Sequence, residues 1–165
     1  PEIQFGIPLG LSYKGFDFSM LWQGSALCSV QLSGPAVWDF PLYDQSRTGK
    51  VRKMHLNRWT PETAATATYP ALHYGIHNNN KQQYSSLFLY DASYIRLKNV
   101  EIGYTLPKAW TSKAGIQSVR IYAQGQNLLT FDRLGDVDMD PEIKNGDGSW
   151  FPVQRVVNLG INMTF

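Results

Sequence analysis

An alternation of apolar and polar side chains with a period of two is the feature of this sequence that most restricts its fold. From residue 3 to residue 13 the odd positions are apolar, and the even positions are Gln, Gly, Pro and Ser. After Lys14-Gly15 the apolar side chains move to even positions, beginning with Phe16. A two-residue turn requires this change of phase, because Tyr13 and Phe16 then become cross-strand partners on one face. The sequence therefore predicts an antiparallel hairpin with one apolar face and one polar face.

Three further segments alternate in the same way, so about five long strands are expected in total. The segment from Tyr94 to Leu106 changes phase near Lys98-Asn99, which predicts a β-bulge. The segments that begin at Val119 and Val157 alternate without interruption. Pro8 offers no backbone donor to a sheet, so the first strand is expected at an edge, a bulge or a local gap.

Two long segments break the strand pattern, one from Ser25 to Ser86 and one from Thr130 to Pro152. The first, at roughly 60 residues, far exceeds the usual connection of about 4–6 residues, and loops this long are usually functional or disordered. Within it, Thr60-Pro61-Glu62 predicts the start of a short helical piece capped by Thr60. Just after it, Leu87–Tyr90 predicts a short strand.

Composition excludes several classes of protein. No stretch approaches the roughly 18–20 apolar residues of a membrane-spanning helix, and 13% aromatic residues argue against disorder. The 15 basic side chains are scattered, so no nucleic-acid-binding stripe is present. Charged residues make up only 17% of the chain, yet the mean hydropathy is −0.28, because small polar residues are present in place of charged ones. This composition is typical of a sheet that faces water on one side.

Strand length and loop pattern favour a transmembrane β-barrel. Strands of about ten residues match a tilted bilayer crossing, whereas globular strands usually have about five or six. Long loops alternate with shorter turns, as they do in outer-membrane barrels. The last strand also ends on Phe165, which suits an aromatic girdle at the membrane boundary. A secreted carbohydrate-binding β-sandwich is the alternative, because its strands alternate as well.

Five strands are too few to close a barrel, for which about eight are the minimum. An open sheet in lipid would leave edge amides unpaired, at a cost of several kcal/mol each. The chain is therefore expected to be a piece of a larger structure. Its start at Pro1, without an initiator Met or a signal peptide, agrees with a mature or cut segment.

Several motifs follow one another in the second half of the chain. They are Ser93-Tyr94-Ile95-Arg96-Leu97-Lys98-Asn99-Val100 with Gly103-Tyr104 and Leu106-Pro107, Arg120-Ile121-Tyr122 with Gly125 to Thr130, Asp140-Pro141-Glu142, and Leu159 to Phe165. Together they resemble the C-terminal barrel strands of SusC/RagA-type TonB-linked outer-membrane transporters. The resemblance covers residues 86–165. It implies that residues 1–165 are the C-terminal part of an antiparallel barrel of about 22 strands, with residues 25–86 and 130–152 as extracellular loops.

The resemblance also implies a location and a set of partners. SusC/RagA-type proteins lie in the bacterial outer membrane, and an N-terminal plug and a TonB box would belong to the absent N-terminal region. The implied partners are the remainder of the barrel and its plug, a SusD-like lipoprotein lid, TonB, outer-membrane lipid, and a glycan or peptide substrate. No enzymatic activity, cofactor or nucleic acid is expected.

The implied orientation places the C-terminus, the Lys14-Gly15 turn and residues 108–118 in the periplasm. The odd residues of segments 3–13 and 157–165 would then face lipid, and Phe165 would act as the C-terminal barrel-assembly signal. The alternate polar residues would face the lumen. These are Arg120, Gln124, Gln126, Asn158 and Asn162.

The extracellular loops hold the candidate substrate-binding residues. Five aromatic side chains have ring faces that suit sugars: Trp38, Trp59, Tyr69, Tyr74 and Trp150. Packing among the loops and against the lid is the alternative interpretation of the same residues.

Metal and catalytic chemistry have weak support. The oxygens of Asp136, Asp138, Asp140 and Glu142 could hold Ca²⁺, although the spacing is not that of an EF-hand and a solvated acidic loop is the alternative. His73 and His77 lack a third ligand in register. Cys28 is the only cysteine, which excludes an internal disulfide, and it has no activating neighbour. No nucleophile, phosphate-loop or dinucleotide motif occurs, so an enzyme is not predicted.

Overall fold

The computed structural model describes residues 1–37, 51–73, 85–143, 145–148 and 150–165. Its strands are β1 (Ile3–Tyr13), β2 (Phe16–Ala26), β3 (Ser29–Gln31), β4 (Leu89–Asp91), β5 (Tyr94–Thr105), β6 (Ser118–Asp132) and β7 (Val156–Thr164). One short helix, α1 (Lys108–Thr111), and 3-10 turns at Gly34–Ala36, Lys53–Asn57, Ser86–Phe88 and Ser112–Ala114 complete the described elements. Within these ranges no helix has the length and hydropathy needed to cross a membrane.

The chain divides into two compact units. The sheet unit comprises Pro1–Ala26, Tyr94–Phe131 and Val153–Phe165. The loop unit comprises Leu27–Ser93 and Asp132–Pro152. Each is described by itself below.

The sheet unit is one five-stranded sheet in the order β1-β2-β5-β6-β7. Pairs β1–β2, β2–β5 and β6–β7 are antiparallel. The five strands have 11, 11, 12, 15 and 9 residues, which confirms the prediction of five long strands. Pro8 lies in β1, the first strand of the described sheet, and pairs with Leu21 of β2.

The first hairpin forms as the change of phase predicts. Lys14 and Gly15 both have positive φ, 44° and 88°, as a type I′ turn requires. Tyr13 pairs with Phe16, and the pairing continues without a shift to Ile3 and Ala26. The apolar side chains of both strands therefore share one face.

The predicted bulge is also present. Leu21 pairs with Asn99 and Trp22 pairs with Leu97, so Lys98 is the extra residue in β5. This residue moves the apolar positions of β5 from odd numbers before it, such as Leu97, to even numbers after it, such as Val100. Without it, half of β5 would present its apolar side chains to the polar face.

The loop unit has its own hydrophobic core. Strands β3 and β4 form a separate two-stranded antiparallel sheet. The buried apolar residues come from distant parts of the sequence: Val30, Leu32, Ala36, Val37, Met54, Tyr69, Phe88, Ala92, Leu134 and Val137. Both long segments that break the strand pattern therefore contribute to one packed body.

Local structure differs from the predictions at three places. The strand predicted at Leu87–Tyr90 begins as a 3-10 turn, because the Ser85 hydroxyl accepts a hydrogen bond from the Leu87 N–H at 3.2 Å. Strand β6 extends to Asp132, into the segment predicted as a loop. Thr60 does cap the following segment, through a 3.2 Å bond from the Thr63 N–H, but residues 61–66 form turns rather than a helix.

Candidate functional site

The strand register sorts the residues of β6 and β7 onto two faces. Arg120 lies opposite Asn162, and Gln124 lies opposite Asn158. Gln126 follows on the same face of β6, because side chains alternate along a strand. The residues expected to line a lumen therefore do share one face of the sheet.

The opposite face of the sheet is apolar and exposed. Leu159 and Val157 expose 84% and 71% of their surface, and Leu11 on β1 exposes 69%. Phe165, just beyond β7, exposes 80%. Soluble monomers rarely leave a continuous apolar face of this kind in water. Such a face has to be covered by lipid or by other protein.

A group of charged side chains spans three strands on the polar face; we name it the Arg120 cluster. The Arg120 guanidinium donates to both carboxylate oxygens of Asp17 on β2, with Nε to Oδ2 at 3.0 Å, and to Glu101 on β5. Gly103 leaves the space that the guanidinium occupies, because a Cβ atom there would collide with it. The guanidinium also lies 5.1 Å from the centre of the Tyr122 ring. The cluster therefore links β2, β5 and β6 through ion pairs.

The two acidic members of the Arg120 cluster were not identified from the sequence. Asp17 and Glu101 are far apart in the chain, and only the fold brings both to Arg120. Their positions in the alternation of the strands could have identified them, because each stands on the polar face of its strand. An acidic side chain on the polar face of a neighbouring strand is the natural ion-pair partner of Arg120.

A second arginine on this face is almost completely buried. Arg96 on β5 is 2% exposed, and its Nε donates to the Thr130 hydroxyl at 2.9 Å. Its guanidinium lies 5.6 Å from the centre of the Tyr94 ring. The polar face of the sheet unit therefore holds two basic side chains in fixed positions.

The loop aromatics divide into buried and exposed residues. Tyr69 is 4% exposed, and its hydroxyl donates to the Val37 carbonyl oxygen at 2.7 Å. Burial raises the pKa of Tyr69 above its ordinary value. This position favours the packing interpretation for Tyr69, because a buried ring cannot stack on a ligand. Trp59 and Trp150 are 46% and 64% exposed and can do so.

Trp38, Tyr74 and His77 lie outside the described residues. The other loop histidine with a possible ligand role, His73, is exposed.

His55 is a buried residue that the sequence did not single out. It is 1% exposed, and its Nδ1 accepts a hydrogen bond from the Arg52 N–H at 3.1 Å. Its ring centre lies 4.7 Å from that of Tyr69, and Nε2 is buried without a hydrogen-bond partner in the described structure. Burial, followed by the charge of Arg52, lowers the pKa of His55. The neutral imidazole is therefore the form that this core accommodates.

The acidic loop residues have partners within the loop unit. Asp136 accepts a hydrogen bond from the Asn57 amide at 3.0 Å and lies 3.7 Å from the Lys53 ammonium. Asp140 is 7% exposed and accepts from the Glu142 N–H at 2.9 Å. Asp138 is exposed. In the part of the chain that the structure describes, no group of three or more His, Cys, Asp or Glu residues could hold a metal ion.

Sequence comparison relates this chain to TonB-dependent receptors. No family model matches it. TonB-dependent receptors P3 and P26 of Formosa agariphila are each 30% identical to it over 100% of the chain. TonB-dependent receptor SusC of Bacteroides thetaiotaomicron is 25% identical over 99% of the chain.

Structural comparison gives the same relationship. The RagAB peptide importer matches with a TM-score of 0.70 in its open-open state and 0.71 in its closed-closed state. The sequence identities are 26% and 25%, and each match covers 98% of this chain. The chain belongs to the SusC/RagA-type TonB-dependent receptors. It spans 15–17% of the length of the curated relatives and 17% of the matched structures.

Membership in the SusC/RagA-type receptors accounts for the two faces of the sheet. In a β-barrel wall, strands alternate between apolar side chains that face lipid and polar side chains that face the interior. The described strands form an open sheet with β1 and β7 at its edges. The mostly antiparallel architecture thus corresponds to part of the β-structure of a SusC/RagA-type receptor.

Proposed function

We propose that this chain forms part of the wall and of the extracellular loops of an outer-membrane, TonB-dependent nutrient importer. SusC/RagA-type receptors are outer-membrane proteins. The observation that carries the proposal is the exposed apolar face of the sheet unit, with Leu159 84% exposed, opposite a polar face. In this proposal, lipid covers that face.

In this proposal residues 1–165 are the C-terminal part of a barrel of about 22 strands, and Phe165 contributes the barrel-assembly signal. The Lys14-Gly15 turn and residues 108–118 lie in the periplasm, and residues 25–86 and 130–152 are extracellular. Arg120, Gln124, Gln126, Asn158 and Asn162 then face the lumen. The Arg120 cluster supports this assignment, because a charged group of this kind is stable beside a hydrated interior and costly in lipid.

The proposed cargo is an oligosaccharide or another large nutrient. The exposed indoles of Trp59 and Trp150 provide faces on which sugar rings could stack. A peptide is the other candidate cargo, because the matched RagAB structure is that of a peptide importer. The proposed partners are a SusD-like lipoprotein, TonB, and the remainder of the barrel with its plug.

A secreted carbohydrate-binding β-sandwich remains the competing proposal. A sandwich needs a second sheet against the apolar face of the first. The exposure of Leu159 and Leu11 argues against such a cover, at least by the described residues.

The test uses the full-length receptor in its native membrane. We expect it in the outer-membrane fraction, and we expect cells to accumulate a fluorescent oligosaccharide only when TonB is intact. The W59A/W150A variant is expected to reduce uptake several-fold at an unchanged receptor level. Recovery of the receptor as a soluble monomer would contradict the proposal, and TonB-dependent uptake of a fluorescent peptide alone would replace the proposed cargo.

A further inference from the structure

A cavity lies at one end of the sheet unit, in the connection from β5 to β6. Its volume is about 480 Å³. The lining includes Lys108 of α1, Ser112 of the following 3-10 turn, Ile116 and Gln117 just before β6, and Ser118, the first residue of β6. A 2.8 Å hydrogen bond from the Gln117 N–H to the Thr164 carbonyl oxygen joins this connection to the end of β7. The cavity therefore adjoins the β6–β7 pair.

The polar lining of this cavity suits a phosphate group. Among the lining residues, Lys108 has an ammonium group, Ser112 a hydroxyl donor and Gln117 an amide. Ser118 pairs with Thr164, and its side chain lies on the polar face with Arg120. Lys113, in the same connection, is exposed. Neither lysine forms an ion pair within the described residues, and no carboxylate is among the residues that line the cavity. The site thus offers positive charge and hydrogen-bond donors to an anion.

An exposed apolar strip starts at Val119, the residue after Ser118 in β6; we name it the β6–β7 strip. Val119 pairs with Met163 and Ile121 pairs with Ile161, all on the apolar face. Met163, Ile121 and Ile161 are 52%, 48% and 57% exposed. Acyl chains pack on a surface of this kind, whereas a free phosphate ion gains nothing from it.

Two aromatic side chains lie at the same end of the sheet unit. Trp110 on α1 is 67% exposed, and Phe165 after β7 is 80% exposed. Tryptophan is enriched at the level of lipid headgroups, because its indole has an apolar body and one hydrogen-bond donor. These residues indicate that the cavity lies at headgroup depth rather than in bulk water.

We propose that this cavity binds the headgroup of an anionic phospholipid whose acyl chains lie along the β6–β7 strip. The inference rests on the proposed function, because it requires the apolar face of the sheet to contact a bilayer. It goes beyond that function by assigning a specific lipid site to Lys108, Ser112 and Gln117, with Lys113 of the same connection adding positive charge nearby. The lysine charge favours an anionic headgroup over a neutral one. The β6–β7 strip favours a lipid with acyl chains over a soluble phosphate.

The experiment measures lipid retention by the full-length receptor purified in detergent, using native mass spectrometry. The probes are phosphatidylglycerol, phosphatidylcholine with the same acyl chains, and glycerol 3-phosphate. We expect phosphatidylglycerol to be retained at least fivefold more than phosphatidylcholine. The K108A/K113A variant should lose at least fivefold of that retention. The K14A/K53A variant removes the same charge outside the cavity and should stay within twofold of the wild type.

Three results would overturn the inference. The first is equal loss in K14A/K53A, which would mean diffuse surface charge. The second is equal retention of the two lipids, and the third is displacement of phosphatidylglycerol by glycerol 3-phosphate at a similar concentration. If K108A/K113A fails to fold, as judged by heat-dependent gel mobility, K108Q/K113Q replaces it. A receptor absent from the outer membrane would contradict the proposed function itself, whereas a correctly located receptor without lipid preference contradicts only this inference.

Discussion

The stability of the sheet depends on the balance of charge among the side chains of its polar face. Arg120 holds Asp17 and Glu101 together, and without it two carboxylates remain close to one another. We therefore expect R120Q to lower the temperature at which the full-length receptor loses its folded gel mobility. The triple variant R120Q/D17N/E101Q should recover most of that loss, because it removes the repulsion as well as the attraction. A triple variant as unstable as R120Q would show that the guanidinium acts by packing instead.

His55 gives the loop unit a pH dependence of defined sign. Because its pKa is lowered in the folded state, the unfolded chain binds the proton more readily, and stability falls as pH drops below the ordinary value of 6.5. The lowered pKa values of Glu62 and Asp91 act only below their ordinary values of 4.5 and 3.8. As the pH falls from 6.5 to 4.5, we therefore expect the rate of protease cleavage within residues 51–73 of the folded receptor to increase.

The control for this pH dependence is H55N. Its amide oxygen can replace Nδ1 as the acceptor for the Arg52 N–H, but asparagine does not titrate. We expect the cleavage rate of H55N to be flat between pH 6.5 and 4.5. An increase equal to that of the wild type would assign the effect to another group.

At the scale of elements, the strands were predictable and the loop unit was not. A period of two assigns each strand residue to a face from its neighbours alone, so the hairpin at Lys14-Gly15 and the bulge at Lys98 could be located. The core of the loop unit instead joins Val30, Phe88 and Leu134, whose separation in the chain leaves no local period. Asp17 and Glu101 do follow the period of their strands, but their pairing with Arg120 depends on the fold, which brings three distant strands together.

Gly146 tests whether the two loop segments are held together. Its carbonyl oxygen accepts a 3.0 Å hydrogen bond from the Ser33 N–H, and a Cβ atom would overlap the Gln31 carbonyl oxygen. Because that neighbour is backbone, G146A is expected to destabilise the loop unit by about 1–3 kcal/mol. The measurement is the denaturant concentration at which residues 27–37 become accessible to protease.

Gly135 provides a comparison for Gly146, because the two substitutions have different causes of destabilisation. Gly135 has φ +64° and no atom within 4 Å of an added Cβ, so G135A measures backbone strain alone, whereas Gly146 has no positive φ and G146A measures the collision. The cost of G135A should be about 1 kcal/mol. An unchanged denaturant concentration for protease access in G146A would show that the contact between Gly146 and Gln31 does not hold the segments together.

At the scale of the whole molecule, the two faces of the sheet should differ in what they tolerate. Leu159 and Asn158 are adjacent in β7 and point to opposite faces, with Ala123 and Gln124 as their partners. An arginine on the lipid face near the bilayer midplane costs about 2–4 kcal/mol, whereas a lumen position keeps the charge hydrated. We expect L159R to reduce the folded receptor in the outer membrane strongly and N158R to leave it near the wild-type level. Both variants add one charge to the same strand, so a difference between them reports only the face. Equal levels of L159R and wild type would mean that the apolar face does not contact lipid, and a loss in both variants would mean that β7 tolerates arginine on neither face.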